Sequence, residues 1–275
     1  MEEDNIIVKH WREQEKIFID NLVISRKRPT KDSVHDLRVA VKKLRSYLRL
    51  KKQMTGDEWK RSFSNMSCLF KSFGRLGDFD VTLILTRQQE KKENLSVLFF
   101  KEYLFINRSL VRKWVKQDAI KFNDQELNAL TQQIKSDLTD KEICEKIIQL
   151  TFSKVKKVKV LNKHFQKNAH KIRKQLKDVY NWIKNCPNDL AENFIRIKPL
   201  DQMLKYLGSY QDHDVLRKKI KQYTKEVSEN KEKAILKTLE NKLASIQDDL
   251  LENAKNKWKA VIDQERYKKA ASSRF

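Results

Sequence analysis

The apolar residues of this chain recur at three- and four-residue intervals along nearly its whole length, a helical period. Ile7, Trp11, Phe18 and Leu22 mark a first amphipathic helix over 5–24, broken at Arg28-Pro29. Val34, Leu37, Val41, Leu44 and Leu48 mark a second over 31–54, ended by Thr55-Gly56. Trp59, Phe63, Met66, Phe70 and Phe73 mark a third over 57–76, and a fourth runs from Asp78, read as its N-cap, to Lys92. Further helices are predicted over 96–117 and 123–138, then over 141–160, 165–185, 189–208, 212–227 and 231–266. Pro199 falls inside the 189–208 segment and predicts a kink or break there.

Composition supports an all-α fold. The 275 residues include only four Gly and three Pro, too few for the turns of a β-rich protein, and the 39% hydrophobic content is enough to build a core. Cys68, Cys144 and Cys186 lie far apart in sequence and form no CxxC or Cys/His grouping, so neither a disulfide framework nor a structural zinc site is supported. The acidic start MEEDNIIVKHW lacks the apolar core of a secretory signal, and no run of about 18 apolar residues exists to span a membrane. The expected location is cytoplasmic.

Charge sharpens the picture. Lys and Arg number 60 against 37 Asp and Glu, a formal net charge of +23. Self-repulsion of that size favours an anionic partner. The charges are also clustered: from Lys146 to Lys177 eleven Lys or Arg occur and no acid. On the second helix Lys31, His35, Arg38, Lys42, Arg45 and Arg49 are spaced 4, 3, 4, 3, 4. At about 100° per residue they share an arc of roughly 80° beside the apolar seam, extending roughly 27 Å. Lys43 adjoins the row. Such a row can solvate an outer helix face or line a cleft.

The segment recurs. VHDLRVAVKKLRSYLRL (34–50) aligns with AHKIRKQLKDVYNWIK (169–184), pairing His35 with His170, Arg38 with Arg173, Lys42 with Lys177 and Arg49 with Lys184, while Lys174 flanks the second row. Downstream, LGDFDV (76–81) aligns with YQDHDV (210–215) at nearly the same offset, pairing Asp78 with Asp212 and Asp80 with Asp214. Two ordered matches at one offset indicate a duplicated helical unit. In each acidic pair the first Asp is read as a helix cap and the second as a brace for a basic side chain. Metal ligation by the histidines and Asp pairs is the rival reading, although no paired-His spacing of the HExxH kind occurs.

A helix carrying H-x-x-R-x-x-x-K-[KR]-x-R followed by G-x-x-x-D-x-D-V resembles the CHAD family, the conserved histidine α-helical domains. His35, Arg38, Lys42, Lys43 and Arg45 fit the first element, and Gly74, Asp78, Asp80 and Val81 the second. The repeat supplies His170, Arg173, Lys174 and Lys177, then Gly208, Asp212, Asp214 and Val215. The resemblance implies one domain over 5–265, made of four-helix-bundle-like halves, 5–138 and 140–265, about a pseudo-twofold axis. It also implies a basic groove or pore that binds inorganic polyphosphate, and association of some members with polyphosphate granules. Where an Arg commonly precedes the first Asp of the second element, this chain has Gly77 and Gln211, and Gln166 and Tyr180 replace basic residues of the second row.

Three functions therefore stand. The first is polyphosphate binding without catalysis or cofactor, through Lys31, His35, Arg38, Lys42, Lys43, Arg45, Arg49, His170, Arg173, Lys174, Lys177 and Lys184, with Asp78, Asp80, Asp212 and Asp214 in support. The second is binding of nucleic acid or polyanions in general, which the charge serves equally well but no nucleic-acid motif accompanies. The third is a metal-dependent phosphate-processing enzyme. No phosphate-cradling GxxxxGK[ST] loop or GxSxG nucleophile is present.

Overall fold

The structure, a computed structural model, describes residues 4–187, 195–227 and 231–261. The described chain is helical: α1 (Ile6–Lys27), α2 (Lys31–Thr55), α3 (Ser64–Glu93), α4 (Leu98–Lys121), α5 (Asp124–Ile134), α6 (Asp140–Leu161), α7 (Phe165–Ile183), α8 (Ile197–Glu226) and α9 (Lys231–Val261). Among the described residues no strand forms beyond a lone bridge at Ile195.

Local chemistry sets the helix ends. The Thr30 side chain accepts from the Ser33 amide while the Ser33 hydroxyl accepts from the Thr30 amide, and Thr139 and Glu142 make the same reciprocal cap on α6. Gly56 closes α2 with φ of 84°, a left-handed turn that glycine adopts without strain.

Two predicted boundaries are absent. The third and fourth predicted helices are one, α3, which starts later, at Ser64, and runs through Gly74, Gly77 and Asp78. Asp78 therefore caps nothing. Its backbone lies in mid-helix, where the buried apolar residues Phe73, Leu76, Phe79 and Leu83 outweigh the roughly 1 kcal/mol that each glycine costs a helix. Likewise α8 runs through Gly208 and Asp212, so the G-x-x-x-D-x-D-V element is helix throughout and Asp212 caps nothing either. Pro199 is the third residue of α8, in the first turn, where an amide has no intrahelical acceptor, so it produces no kink. Residues 189–194 of the predicted 189–208 helix, and those beyond Val261 of the predicted 231–266 helix, lie outside the described residues.

The halves share an order of packing. In the first, α1 packs on α2, α2 on α3 and α3 on α4; in the second, α6 packs on α7, α7 on α8 and α8 on α9. This repetition is compatible with a pseudo-twofold relation. The extra helix α5 packs on α1 and α2.

Contacts between α2 and α7 and between α3 and α8 join the halves. At this seam the buried Asp178 accepts from the Ser46 hydroxyl (3.1 Å), Arg49 (2.5 Å) and Lys154 (3.2 Å), and the Trp182 indole donates to the Ser46 carbonyl (3.0 Å). A second tie is a cap made at a distance. The Glu232 carboxylate, in the first turn of α9, accepts from the amides of Phe99 (3.1 Å) and Phe100 (2.8 Å) at the start of α4. Its charge lies at the positive end of that helix.

Candidate anion-binding site

The two basic rows lie on α2 and α7, the helices that meet at the seam. Each helix turns its apolar face into the core, with Leu37, Val41 and Leu44 on α2 and Ile172, Leu176 and Val179 on α7 fully buried. A row beside such a face is carried inward with it. Arg38, Lys42, Arg173 and Lys177 are accordingly half-buried, whereas Lys31 and His35 at one end of α2 and His170 and Lys174 on α7 are exposed.

Lys42 is the focus of the cluster. Burial holds its pKa down to about 8, helped by the positive charges of Arg38, Arg173 and Lys177 and opposed by Asp212. Two of these cations come from the other half. Lys177 is lowered by burial, then by Arg173, Lys43 and Lys184, with Asp201 opposing. Lys43 is lowered by burial and by Lys184. His170 is pushed down by burial and by Lys174, Arg173 and Lys218. The two rows thus form one electrostatic cluster.

Asp78 and Asp212 sit inside it. Burial raises the pKa of Asp78 against the pull of Arg38, Lys219 and Lys42. Burial also raises that of Asp212, with Asp78 adding to the rise and Arg173, His213 and Lys42 opposing it. Asp78 lies 3.7 Å from Arg38. The Nε atoms of both Arg38 and Arg173 are buried without a hydrogen-bond partner among the described residues. Arg38 crosses α3 at Gly77, where an added Cβ would lie 1.9 Å from its Nη1; Arg173 passes Gly208 with more room, 3.6 Å from such a Cβ to Nη2.

The other predicted residues are engaged locally. Arg45 stacks over Phe63 and Phe70, at 5.1 and 4.8 Å. Arg49 is held by Asp178, and Lys177 and Lys184 both lie over the Tyr180 ring. Asp80 binds Arg108 of α4 (2.5 Å) and Asp214 binds Lys218 (2.7 Å), so the cations they hold are outside the rows. Sequence reading missed Lys219, Gly77 and Asp178. Lys219 stands seven residues, two helical turns, after Asp212 and so shares its face, a signal the sequence did carry. Cys144 and Cys186, far apart in sequence, come within side-chain hydrogen-bonding contact as free thiols. Among the described residues no group of three His, Cys, Asp or Glu could hold a metal ion.

The chain matches the sequence model of the CHAD domain over residues 8–180, more than half its length. It belongs to the CHAD domain family. This CHAD domain also superposes on the crystal structure of the CHAD domain from the plant Ricinus communis, with a TM-score of 0.68 at 14% identity, covering 90% of each chain. Covering 90% of the chain, that likeness extends the shared fold past the end of the sequence match. No curated protein matches the chain in sequence. None of its described helices is long and apolar enough to cross a membrane.

Proposed function

We propose that this CHAD domain binds linear inorganic polyphosphate without turning it over, both halves acting as one unit over 5–265. The supporting observation is that Arg38, Lys42, Arg173 and Lys177, drawn from both halves, share one partly buried cluster. Four cations there meet two carboxylates, both pushed toward their neutral form. The imbalance disfavours the empty site and favours a dense polyanion, whose oxygens would accept from the half-buried guanidinium groups of Arg38 and Arg173 in charge-assisted hydrogen bonds. Lys31, His35, Lys43, His170, Lys174 and Lys184 extend the path for a longer chain, and Arg45 and Arg49 flank it. Asp78 and Asp212 steady the guanidinium groups until the ligand arrives. The proposed setting is the cytoplasm, at polyphosphate granules.

Replacing Arg38 and Arg173 by Gln and Lys42 and Lys177 by Met should weaken polyphosphate binding by roughly a hundredfold or more, as several charged hydrogen bonds are lost together. Replacing the exposed α9 residues Lys231, Lys237, Lys255 and Lys259 by Met should change it by only about threefold, since they add only a screened field. Equal losses would mean that net charge carries the binding. Competition by RNA at equal phosphate concentration would favour a general polyanion binder. Shortening of the polyphosphate during incubation would refute binding without turnover.

A further inference from the structure

Among the described residues, eleven of the twelve exposed large apolar side chains lie on two helices that pack together, α1 and α4. Seven of them are on α4, between Leu98 and Ile120, and the least exposed of the seven, Leu110, is 46% exposed. Scattered single residues of this kind need no explanation, but seven on one helix do. They spread around the half of α4 turned away from its buried positions Phe100, Leu104, Val111 and Val115, with Phe105 and Trp114 at its two edges. At roughly 200 Å² apiece when fully exposed, and about half exposed here, they present about 750 Å². A contact along one line of α4 covers only part of that, less than the roughly 800 Å² that one partner in a standard protein interface contributes.

Charge identifies the occupant. Glu102 and Lys113, both exposed, are eleven residues apart, so they fall within about 20° on the outward line of α4. Ile106 and Ser109 lie between them near the same line. A lipid surface would have to bury Glu102 along with Ile106, which is unfavourable. A second α4 running antiparallel meets this line differently. Pairing about the point between Asn107 and Arg108 sets Glu102 opposite the partner's Lys113 and, by symmetry, Lys113 opposite the partner's Glu102. Phe105 and Leu110, on opposite flanks of this line, then each lie beside their own counterpart in the partner, and Ile106 fits over the small side chain of the partner's Ser109. Such self-complementarity is what an isologous twofold contact requires. The charge of +23 on each copy opposes association, and at physiological salt that repulsion is screened beyond about 8 Å.

We propose that α4 is a homodimerisation face on which two copies of this CHAD domain pair antiparallel through Phe105, Ile106 and Leu110, in a register set by Glu102 and Lys113. The face is built from α4, whereas the basic cluster is built on α2, α3, α7 and α8, so a dimer would leave both clusters available.

Sedimentation velocity on the full chain over a range of concentrations tests this. The wild type should sediment as a dimer that dissociates on dilution, and Ile106→Glu should be monomeric while keeping its helical circular dichroism and its affinity for polyphosphate. Glu102→Lys, an exposed change that leaves the core untouched, should weaken dimerisation at least tenfold by placing Lys opposite Lys. Adding Lys113→Glu to it should restore dimerisation to within about threefold of wild type. A wild type monomeric throughout would overturn the proposal, as would a dimer unaffected by Ile106→Glu. If the double reversal is no better than Glu102→Lys, the antiparallel register is wrong. A monomer that floats with anionic vesicles and loses that property in Ile106→Glu would assign the face to lipid instead.

Discussion

Lys42 gives the most discriminating test of the cluster, because its charge affects the empty fold and the complex with opposite sign. An ordinary lysine keeps its proton to about pH 10.4. Lys42 releases it near 8, so it is about 90% charged at pH 7 and about 10% charged at pH 9. The lowered value means that the charged form is disfavoured by the fold. That penalty is fully present below pH 8 and is relieved as pH rises through the window from about 8 to 10.5. A shift of that size corresponds to about 3 kcal/mol at most, and solvent screening at this half-buried position reduces it to about 1–2 kcal/mol. Lys42→Met should therefore raise the melting temperature of the ligand-free protein at pH 7 by about 2–6 °C, and by much less at pH 9.5. Polyphosphate should act the other way, stabilising the ammonium. If it restores half of the shift, affinity falls about tenfold between pH 7 and pH 9.5. Lys42→Arg stays charged throughout, so its affinity should fall much less across this range, only as far as Lys177 and Lys43 release protons. The assay is a fluorescence-anisotropy titration with labelled polyphosphate at constant ionic strength, beside calorimetric melting of the free proteins. Wild type and Lys42→Arg falling in parallel, or Lys42→Met melting lower than wild type at pH 7, would refute this account of the cluster.

Two further outcomes separate fold from site. Asp178→Asn leaves Arg49 and Lys154 facing a neutral amide at the seam and should lower stability by about 3–5 kcal/mol in urea unfolding, without lowering polyphosphate affinity. Gly77→Ala gains up to about 1 kcal/mol of helix propensity but displaces the flexible end of Arg38 from beside Asp78, so melting temperature should hold or rise while affinity drops severalfold; Gly208→Ala, with its wider clearance from Arg173, should leave affinity unchanged.

Much of this architecture was legible in the sequence because helices advertise themselves through a local period. The α2 and α7 segments, with their basic rows, could be aligned to each other from residue spacing alone, and the break at Arg28-Pro29 and the stop at Gly56 fall where backbone chemistry demands. The interior of α3 was not legible. Gly74, Gly77 and Asp78 have the composition of a helix boundary, and only the tertiary approach of Arg38 to Gly77 explains why glycine stands in mid-helix. The destiny of single charges was hidden for the same reason. Arg38 and Arg49 sit on one face of α2, yet one enters the cluster and the other is held by Asp178, 129 residues away in sequence. Which acid meets which base is a property of packing between halves, and one helix's periodicity carries no information about it.

The Glu232 cap on α4 also bears on the order in which the molecule can be made. The two amides that it receives belong to residues 99 and 100, which leave the ribosome 132 to 133 residues earlier. At 5–20 residues per second, roughly 7–26 s of synthesis separate them. Throughout that interval the nascent first half carries α4 with its leading amides unanswered by their final acceptor, and Arg49 awaits Asp178 for its first part. The amino-terminal half is therefore held in a provisional state during translation, and these polar contacts are completed only when Asp178 and Glu232 of the second half arrive.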